Sequence, residues 1–282
     1  MDFVSRFGAA FVRRWIAGVS VDDAVRESAL INRAEEQVMI NYLGEHFHDM
    51  SQVENAVNTY SELIDKMEKN KVHGCIAIKA TQLGMGIDDQ RCYKNYIFIA
   101  KRAQKAGVFV WLDMEEHMYV SKTISLYLKA LRERKNIGIC IQGKLKRSYA
   151  DARRIVRMHG RIRLVKGAYD ESARIMYTDR ERVFENYLMI MRYLFEHSEE
   201  FIIATHDDRI IDSALRLNLI HRKKFAFAML KGIRGKLAEK IAKQGNTIFI
   251  YVPFGPQWLA YSIRRLREGS NIALVLRSVL QQ

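Results

Sequence analysis

The chain has 282 residues, of which 49% are hydrophobic and 28% charged, and this composition excludes an intrinsically disordered protein. Its 46 Lys and Arg outnumber its 32 Asp and Glu, and the net charge of +14 favours anionic partners: nucleic acid, an acidic membrane surface or phosphorylated ligands. No apolar run is long enough to predict a membrane-spanning helix. Cys75, Cys92 and Cys140 are too widely spaced for a CxxC metal site or a disulfide framework, so we expect a reducing compartment.

The N-terminal 18 residues have the pattern of a basic amphipathic helix. Phe7, Phe11 and Trp15 recur at four-residue spacing among several arginines. The segment lacks the long apolar core and the small-residue cleavage site of a secretory signal. We expect it to dock on its own domain; a helix lying on a membrane surface is the alternative.

Eight short β-rich runs alternate with segments whose apolar residues recur every three or four positions, and this alternation predicts a parallel sheet. The runs cover residues 38–42, 75–79, 108–112, 137–141, 162–165, 201–204, 225–227 and 247–251. Eight such units in this length predict an α/β fold, a closed (β/α)8 barrel, with a doubly wound open sheet as the alternative. A last helix is expected over residues 257–268. We therefore expect one domain over residues 1–282, with N-terminal helices over about residues 1–35.

Polar residues follow nearly every predicted strand. The carboxyl ends of barrel strands carry the active site in this class of fold, so these residues predict an enzyme. In chain order they are Glu45, Lys79, Asp113, Gln142, Lys166, the run Thr205-His206-Asp207, and Tyr251.

Several common catalytic and binding motifs are absent from the sequence. It contains no GxSxG nucleophile turn, no HExxH metal site and no P-loop. The pair Gly84 and Gly86 does not complete GxGxxG, because Asp89 stands where the third glycine would be. A Rossmann cofactor fold is therefore disfavoured, and no metal site is predicted.

Two groups of cations are candidates for ligand binding. Arg264 and Arg265 share a predicted helical side with Tyr261 and Glu268 and could clamp a carboxylate; a surface helix whose arginines pair with Glu268 is the alternative. The second group is the run of residues 163–169. Its two cations could stabilise a reduced, anionic cofactor ring, and its small residues would let the backbone approach a flat ligand; a phosphate contact or plain solvent exposure is the alternative.

A strongly basic segment spans residues 132–166, where twelve Lys and Arg stand against two acids. The simpler interpretation is a solvated surface without a partner, and the alternative is a surface that binds nucleic acid. No zinc-finger, RNP or basic-heptad pattern supports nucleic-acid binding.

Seven motifs in order resemble the proline dehydrogenase family, over nearly the whole chain from about Phe11. They are Tyr42-Leu-Gly-Glu45, Ile78-Lys79, Leu112-Asp-Met-Glu115, Ile141-Gln142, Arg163-Leu-Val-Lys-Gly-Ala-Tyr169, Ala204-Thr-His206, and Tyr251-Val-Pro-Phe-Gly255 followed by Tyr261, Arg264, Arg265 and Glu268. The resemblance implies a distorted (β/α)8 TIM-type barrel that holds FAD non-covalently. It also implies oxidation of L-proline to 1-pyrroline-5-carboxylate, the first step of proline catabolism, by hydride transfer to FAD.

The resemblance further implies a monofunctional enzyme that passes electrons to a quinone or similar acceptor. We expect a cytoplasmic protein without a nucleic-acid partner. Peripheral contact with an anionic membrane is a further hypothesis. Two alternatives remain: a paralogue that oxidises another cyclic or secondary amino acid, and a flavin-free barrel that binds polyanions through its basic surface.

Carried onto this chain, the resemblance assigns a role to each matching residue. The substrate carboxylate would be bound by Lys79, Arg264 and Arg265. The proline ring would pack against Leu164, Tyr169, Tyr251 and Tyr261, with Asp113 in the adjoining polar network and Glu45 paired with Arg264 as a gate. The flavin would be held by Gln142, Arg163, Lys166, Gly167, Ala168, Thr205, His206 and Glu268.

The chain also departs from the family pattern at a few positions. Strand seven usually carries a glutamate and a glutamine where this chain has Ala226 and Ala228, and Lys144 stands where a tyrosine is common. Asn41 replaces the acid expected on strand one. These positions lie where flavin affinity, redox tuning and proline specificity would be set.

Overall fold

The computed structural model of the chain describes residues 14–259 and 261–262. Eight strands close into one parallel barrel in sequence order, in which each strand pairs with its neighbours along the chain and the last pairs with the first. The strands are β1 (Gln37–Tyr42), β2 (Gly74–Lys79), β3 (Phe109–Asp113), β4 (Ile137–Gln142), β5 (Arg161–Val165), β6 (Glu200–Ala204), β7 (Lys224–Leu230) and β8 (Ile248–Phe254). The predicted (β/α)8 barrel is confirmed, and the open sheet is excluded because β1 and β8 pair over six residues of register.

A helix precedes the barrel and seven helices connect its strands. Ser20 begins the first helix with a capping box, in which its hydroxyl accepts from the Asp23 N–H and the Asp23 carboxylate accepts from the Ser20 N–H. The helices are α1 (Val21–Asn32), α2 (Met50–Lys69), α3 (Asp89–Lys105), α4 (His117–Leu131), α5 (Ser148–Arg157), α6 (Arg180–His197), α7 (Asp208–His221) and α8 (Gly235–Lys243). No helix of this described portion has the length and apolar character needed to cross a bilayer.

Both ends of the described chain pack against the barrel. Trp15 is buried against Ile233, and Ile16 packs with Leu43 and Tyr261. The expected docking of the N-terminal segment therefore holds for Trp15, while Phe7 and Phe11 lie outside the described residues. Of the predicted helix over residues 257–268, the positions 258–259 and 261–262 are helical, and the part from residue 263 onward is likewise not described.

β7 and β8 extend three residues beyond their predicted carboxyl ends. The prediction that strand eight ends at Tyr251 is wrong, because Pro253 lies inside β8 and pairs in register with Asn41. Proline has no N–H to donate, but the Pro253 carbonyl accepts a hydrogen bond from the Ala17 N–H at 2.8 Å. Tyr251 consequently lies within the barrel wall.

The strands have two buried faces, since side chains alternate between the barrel interior and the helices. The larger cluster lies between strands and helices, and a smaller one fills the interior. The interior cluster contains Met39, Cys75, Ala77, Trp111, Ile202, Ala226 and Ala228. The same alternation directs Lys79, Asp113 and Arg163 inward, toward the carboxyl ends of their strands.

Candidate active site

Asp113, the last residue of β3, is the centre of a buried polar network. Its Oδ1 forms an ion pair with the Arg163 guanidinium of β5, and its Oδ2 accepts a hydrogen bond from the Tyr251 hydroxyl of β8 at 2.9 Å. Lys79 lies directly beside it, because Lys79 and Asp113 are register partners on β2 and β3. The Lys79 Nζ is 3.9 Å from Asp113 Oδ2. Four strands therefore contribute to one site in the barrel.

This buried network has an excess of positive charge and therefore favours the binding of an anion. Lys79 and Arg163 are 7% and 4% exposed and share one carboxylate, so the formal charge of the group is +1 in a region with little water. Burial by itself lowers the pKa of Arg163, but the Asp113 carboxylate raises it above its ordinary value, so the guanidinium stays charged. Burial and Asp113 both raise the pKa of Tyr251, which keeps its phenol neutral and able to donate.

A second contact crosses the mouth of the barrel. The Tyr169 hydroxyl, in the loop after β5, donates to Glu45 Oε2, in the loop after β1, at 2.7 Å. The two loops thus meet above the buried network. Arg264, the partner predicted for Glu45, lies outside the described residues, as do Arg265 and Glu268.

Glu115, two residues after Asp113, is a buried carboxyl for which the sequence motifs predict no role. It is fully buried, and the Thr81 N–H and hydroxyl both donate to it. Burial raises its pKa to about 7. The Gln142 side-chain amide donates to the Glu115 carbonyl at 2.9 Å, which orients Gln142 at the end of β4. The sequence does hold a signal for Glu115, because it stands two residues after Asp113. Residues two apart along a strand point to the same face, so the two carboxyls were candidates for one site.

Glu45 and His46 could also meet Glu115 around a cation, because each of the three offers one ligand atom within 4.8 Å of the others. The Glu115 carboxyl already accepts both hydrogen bonds from Thr81, and His46 Nε2 lies 2.9 Å from Glu116 Oε1. We assign no metal to this group.

Gly167 is close to protein atoms rather than to open space. Its φ is +111°, a left-handed conformation that favours glycine. A Cβ there would come within 2.6 Å of the Lys144 side chain and 3.0 Å of Gln142 Oε1. Lys144 and Gln142 therefore occupy the side on which a Gly167 side chain would lie, and the approach of a flat ligand to this backbone stays a prediction. Ala168 is partly buried beside it, and Lys166 is exposed.

Leu164 occupies the wrong face of β5 for its predicted role. It is fully buried in the cluster between strands and helices, one residue from the inward-facing Arg163. Because successive strand residues point to opposite faces, Leu164 is removed from the substrate wall.

Thr205 and His206 follow β6 and are engaged in local hydrogen bonds. The Thr205 hydroxyl accepts from the Asp207 N–H at 3.0 Å, and His206 Nε2 accepts from the Leu230 N–H at 3.1 Å. These bonds fix the loop after β6 against the end of β7. His206 therefore serves as a hydrogen-bond acceptor between these two loops.

The departures from the family pattern lie in the barrel interior. Ala226 and Ala228 belong to the interior cluster. Asn41 is fully buried and its Nδ2 donates to the Ala77 carbonyl at 2.9 Å, while its Oδ1 accepts no hydrogen bond from the described residues. The interior therefore retains one buried acceptor that a ligand could satisfy.

A closed (β/α)8 barrel with a buried charge network at the carboxyl ends of its strands has the architecture of a barrel enzyme. Comparison with known proteins places it further. The family model for proline dehydrogenase matches residues 24–277, and the chain belongs to the proline dehydrogenase family, whose members are oxidoreductases.

Similar proteins with curated names carry the same family name. The chain is 29% identical to proline dehydrogenase 1 of Bacillus subtilis (strain 168), over 99% of this chain and 92% of that protein. It is 31% identical to the proline dehydrogenase of Deinococcus radiodurans, over 95% of this chain and 89% of that protein.

Solved structures share the fold. Proline utilization A from Bdellovibrio bacteriovorus, inactivated by N-propargylglycine, superposes with a TM-score of 0.88 at 22% identity. A variant of proline utilization A from Bradyrhizobium japonicum gives a TM-score of 0.77 at 20% identity. Each covers 94% of this chain, whereas this chain spans about a third of those longer proteins.

Proposed function

We propose that the chain oxidises L-proline to 1-pyrroline-5-carboxylate with FAD as the hydride acceptor, in proline catabolism. One observation carries the proposal: the buried network of Lys79, Asp113, Arg163 and Tyr251 has an excess of positive charge. A substrate carboxylate and a reduced flavin are both anionic, and each would be stabilised by a nearby cation. Family membership and the names of the curated relatives support the same activity.

The residues present fit a flavin. The isoalloxazine edge carries both hydrogen-bond acceptors and a donor, and it gains negative charge on reduction. Arg163 offers a permanent buried cation, and its Nε makes no hydrogen bond to the described residues. The unsatisfied Asn41 Oδ1 is a matching acceptor. Arg163, Gln142, Lys166, Thr205 and His206 are the described residues that would hold the flavin and its phosphate or adenosine parts.

FAD, when bound, would supply the acceptor for a hydride from the ring carbon beside nitrogen. The substrate ammonium would first lose one proton to solvent, so that the nitrogen lone pair can form the C=N bond, and the remaining N–H proton would then follow it. Lys79, with Arg264 and Arg265, would bind the substrate carboxylate by charge-assisted hydrogen bonds. Asp113 fixes the Tyr251 hydroxyl by accepting its hydrogen bond, so the Tyr251 ring presents a fixed wall to the substrate. Tyr169 and Tyr261 would complete that wall and exclude water. The lone pair drives the step, so positioning matters more than a side-chain base.

The remaining expectations stay proposals. The electrons would pass to a quinone or similar acceptor, and the net charge of +14 suits contact with an anionic membrane from a cytoplasmic location. Co-sedimentation with anionic liposomes at low salt tests that contact, and failure to bind removes it.

The visible spectrum of the purified protein, recorded anaerobically before and after addition of L-proline, tests the proposal. We expect a flavin spectrum that proline bleaches. If proline leaves the flavin spectrum unchanged and another cyclic or secondary amino acid bleaches it, that amino acid is the substrate instead of proline. A colourless protein that takes up no added FAD would overturn the proposal in favour of a flavin-free barrel.

The variant Arg265→Met separates substrate binding from cofactor binding. We expect it to raise the KM for proline sharply and to leave the amount of bound flavin unchanged, because its charge is assigned to the substrate carboxylate. Loss of flavin from this variant would contradict that assignment.

A further inference from the structure

A groove of about 610 Å³ runs between α4 and α5 on the outside of the barrel. It is lined by residues of α4 and α5 and by the residue that follows each helix: Ser125, Leu128, Lys129 and Arg132 on one side, and Ala150, Arg153, Arg154, Arg157 and Met158 on the other. Helices of a (β/α)8 barrel run antiparallel to its strands, so the carboxyl-terminal halves of helices lie near the amino ends of the strands. The groove is therefore remote from the candidate active site, and we call it the α4–α5 groove.

The α4–α5 groove is lined by cations without a counter-charge. Five side chains contribute, and no acid is among the lining residues: Lys129, Arg132, Arg153, Arg154 and Arg157. All five are exposed, and within residues 14–259 none of the four arginines forms an ion pair. Other exposed arginines, such as Arg91 and Arg209, do have carboxylate partners.

The neighbouring acids are committed elsewhere. Asp151 forms a two-pronged ion pair with Arg147, at 2.6 and 3.1 Å. Glu133 accepts a hydrogen bond from the Tyr93 hydroxyl. Within residues 14–259, neither of the two acids of the basic segment 132–166 forms an ion pair with a cation of the groove.

Helix dipoles explain only part of this charge. The carboxyl ends of α4 and α5 attract cations, but each helix end is equivalent to about half a negative charge, about −1 for both. Five cations exceed that several-fold. Arg153 and Arg157 are also four residues apart on one helix, a spacing at which like charges repel. A bound anion would relieve this repulsion.

The shape and chemistry of the groove select the ligand. Its volume falls in the range of small-molecule sites, and Leu128, Ala150 and Met158 supply apolar wall. Guanidinium groups match phosphate oxygens with paired N–H donors, and several cations need several negative charges. A concave site also suits a small ligand better than a flat bilayer or a wide duplex. We propose that the α4–α5 groove binds a small soluble ligand with two or more phosphate groups, of the size of a nucleoside diphosphate.

Isothermal titration calorimetry on the full chain with saturating FAD tests the proposal, using ADP, tripolyphosphate and adenosine as probes. Saturating FAD prevents ADP from occupying the proposed cofactor site. We expect one site for ADP and for tripolyphosphate, weaker at higher salt, and none for adenosine. The double variant Arg154→Gln/Arg157→Gln should raise the Kd for ADP and for tripolyphosphate at least about tenfold, because it removes two charge-assisted contacts.

Two further variants keep the result specific to the groove. Arg132→Gln/Arg153→Gln, a second groove pair, should give the same loss. The control Arg192→Gln/Arg216→Gln removes the same charge from exposed arginines of α6 and α7 and should leave binding unchanged. Circular dichroism checks that each variant is folded.

Three results would overturn the proposal. They are no binding of ADP or tripolyphosphate, an equal loss in the control variant, and stronger binding of anionic vesicles or duplex DNA than of ADP with the same dependence on the groove arginines. The last result would make the groove a docking surface for a membrane or a nucleic acid.

Discussion

At the scale of single residues, Asp113 determines how the barrel tolerates two buried cations. Taking a guanidinium out of water costs several kcal/mol, and the cost is offset only by a close counter-charge with good hydrogen bonds. Asp113 supplies that charge to Arg163 and lies beside Lys79, while it also accepts from Tyr251. The same residue is therefore both a stability determinant and the organiser of the proposed substrate site.

We predict that Asp113→Asn lowers the free energy of unfolding by about 3–5 kcal/mol, because the change leaves Arg163 buried without a counter-charge. Urea denaturation measures the loss. The matched control is Asp89→Asn, which removes a carboxylate that pairs with Lys122 at 2.9 Å, in a pair whose two side chains are each 55% exposed. Because exposed ion pairs contribute little, the control should change stability by less than about 1 kcal/mol. Equal losses in both variants would refute the role given to Asp113.

Individual site residues were predictable from the sequence, but their contacts were not. Lys79, Asp113 and Gln142 stand at strand ends and were identified there. The Asp113 partners Arg163 and Tyr251 are 50 and 138 residues away along the chain, so only closure of the barrel brings them together. Leu164 shows the converse error, since a motif match cannot tell which face of a strand a residue occupies.

At the scale of elements, the pairing of β3 with β4 depends on a missing side chain. Gly138 is the register partner of Trp111, and a Cβ on Gly138 would come within 2.4 Å of the indole ring. The indole thus occupies the space beside Gly138 in the interior of the barrel. A small residue on one strand and a large one on the next fill the interior jointly.

We predict that Gly138→Ala lowers the free energy of unfolding by about 1–3 kcal/mol, the usual cost of overpacking a rigid core. The control is Gly235→Ala at the start of α8, where an added Cβ meets nothing within 4 Å. That change should be neutral or should stabilise the protein by up to about 1 kcal/mol, because it restricts the unfolded chain. Thermal or urea unfolding compares the two, and a neutral Gly138→Ala would show that Trp111 moves freely.

At the scale of the whole molecule, buried carboxyls make stability depend on pH. Burial raises the pKa of Glu115 and of half-buried Glu36 from 4.5 to about 7. The folded chain then binds protons more tightly than the unfolded chain, so the contribution of these groups is full below about pH 4.5 and is lost as pH rises to about 7. Exposed acids such as Asp49 and Asp89 have lowered pKa values, mainly from side-chain hydrogen bonds, and act in the opposite sense at lower pH.

We predict that Glu115→Gln flattens this dependence, since the amide cannot ionise. The wild-type free energy of unfolding, relative to that of the variant, should fall by up to about 1.4 kcal/mol per pH unit between about pH 5 and 7. Urea titrations across this range measure the difference. Glu68→Gln, an exposed position on α2, controls for the change in net charge. Parallel profiles for wild type and Glu115→Gln would show that Glu115 ionises normally in the folded chain.

The sequence by itself determined the number and order of the βα units and the polar residues at the strand ends. These features are local, since strand and helix periodicities are written in neighbouring residues. The tertiary structure alone decided that Asp113 joins Arg163 and Tyr251, that β8 runs through Pro253, and that arginines of two helices line one groove. Such contacts depend on register and closure, which connect residues far apart in the chain and leave no local pattern to be recognised.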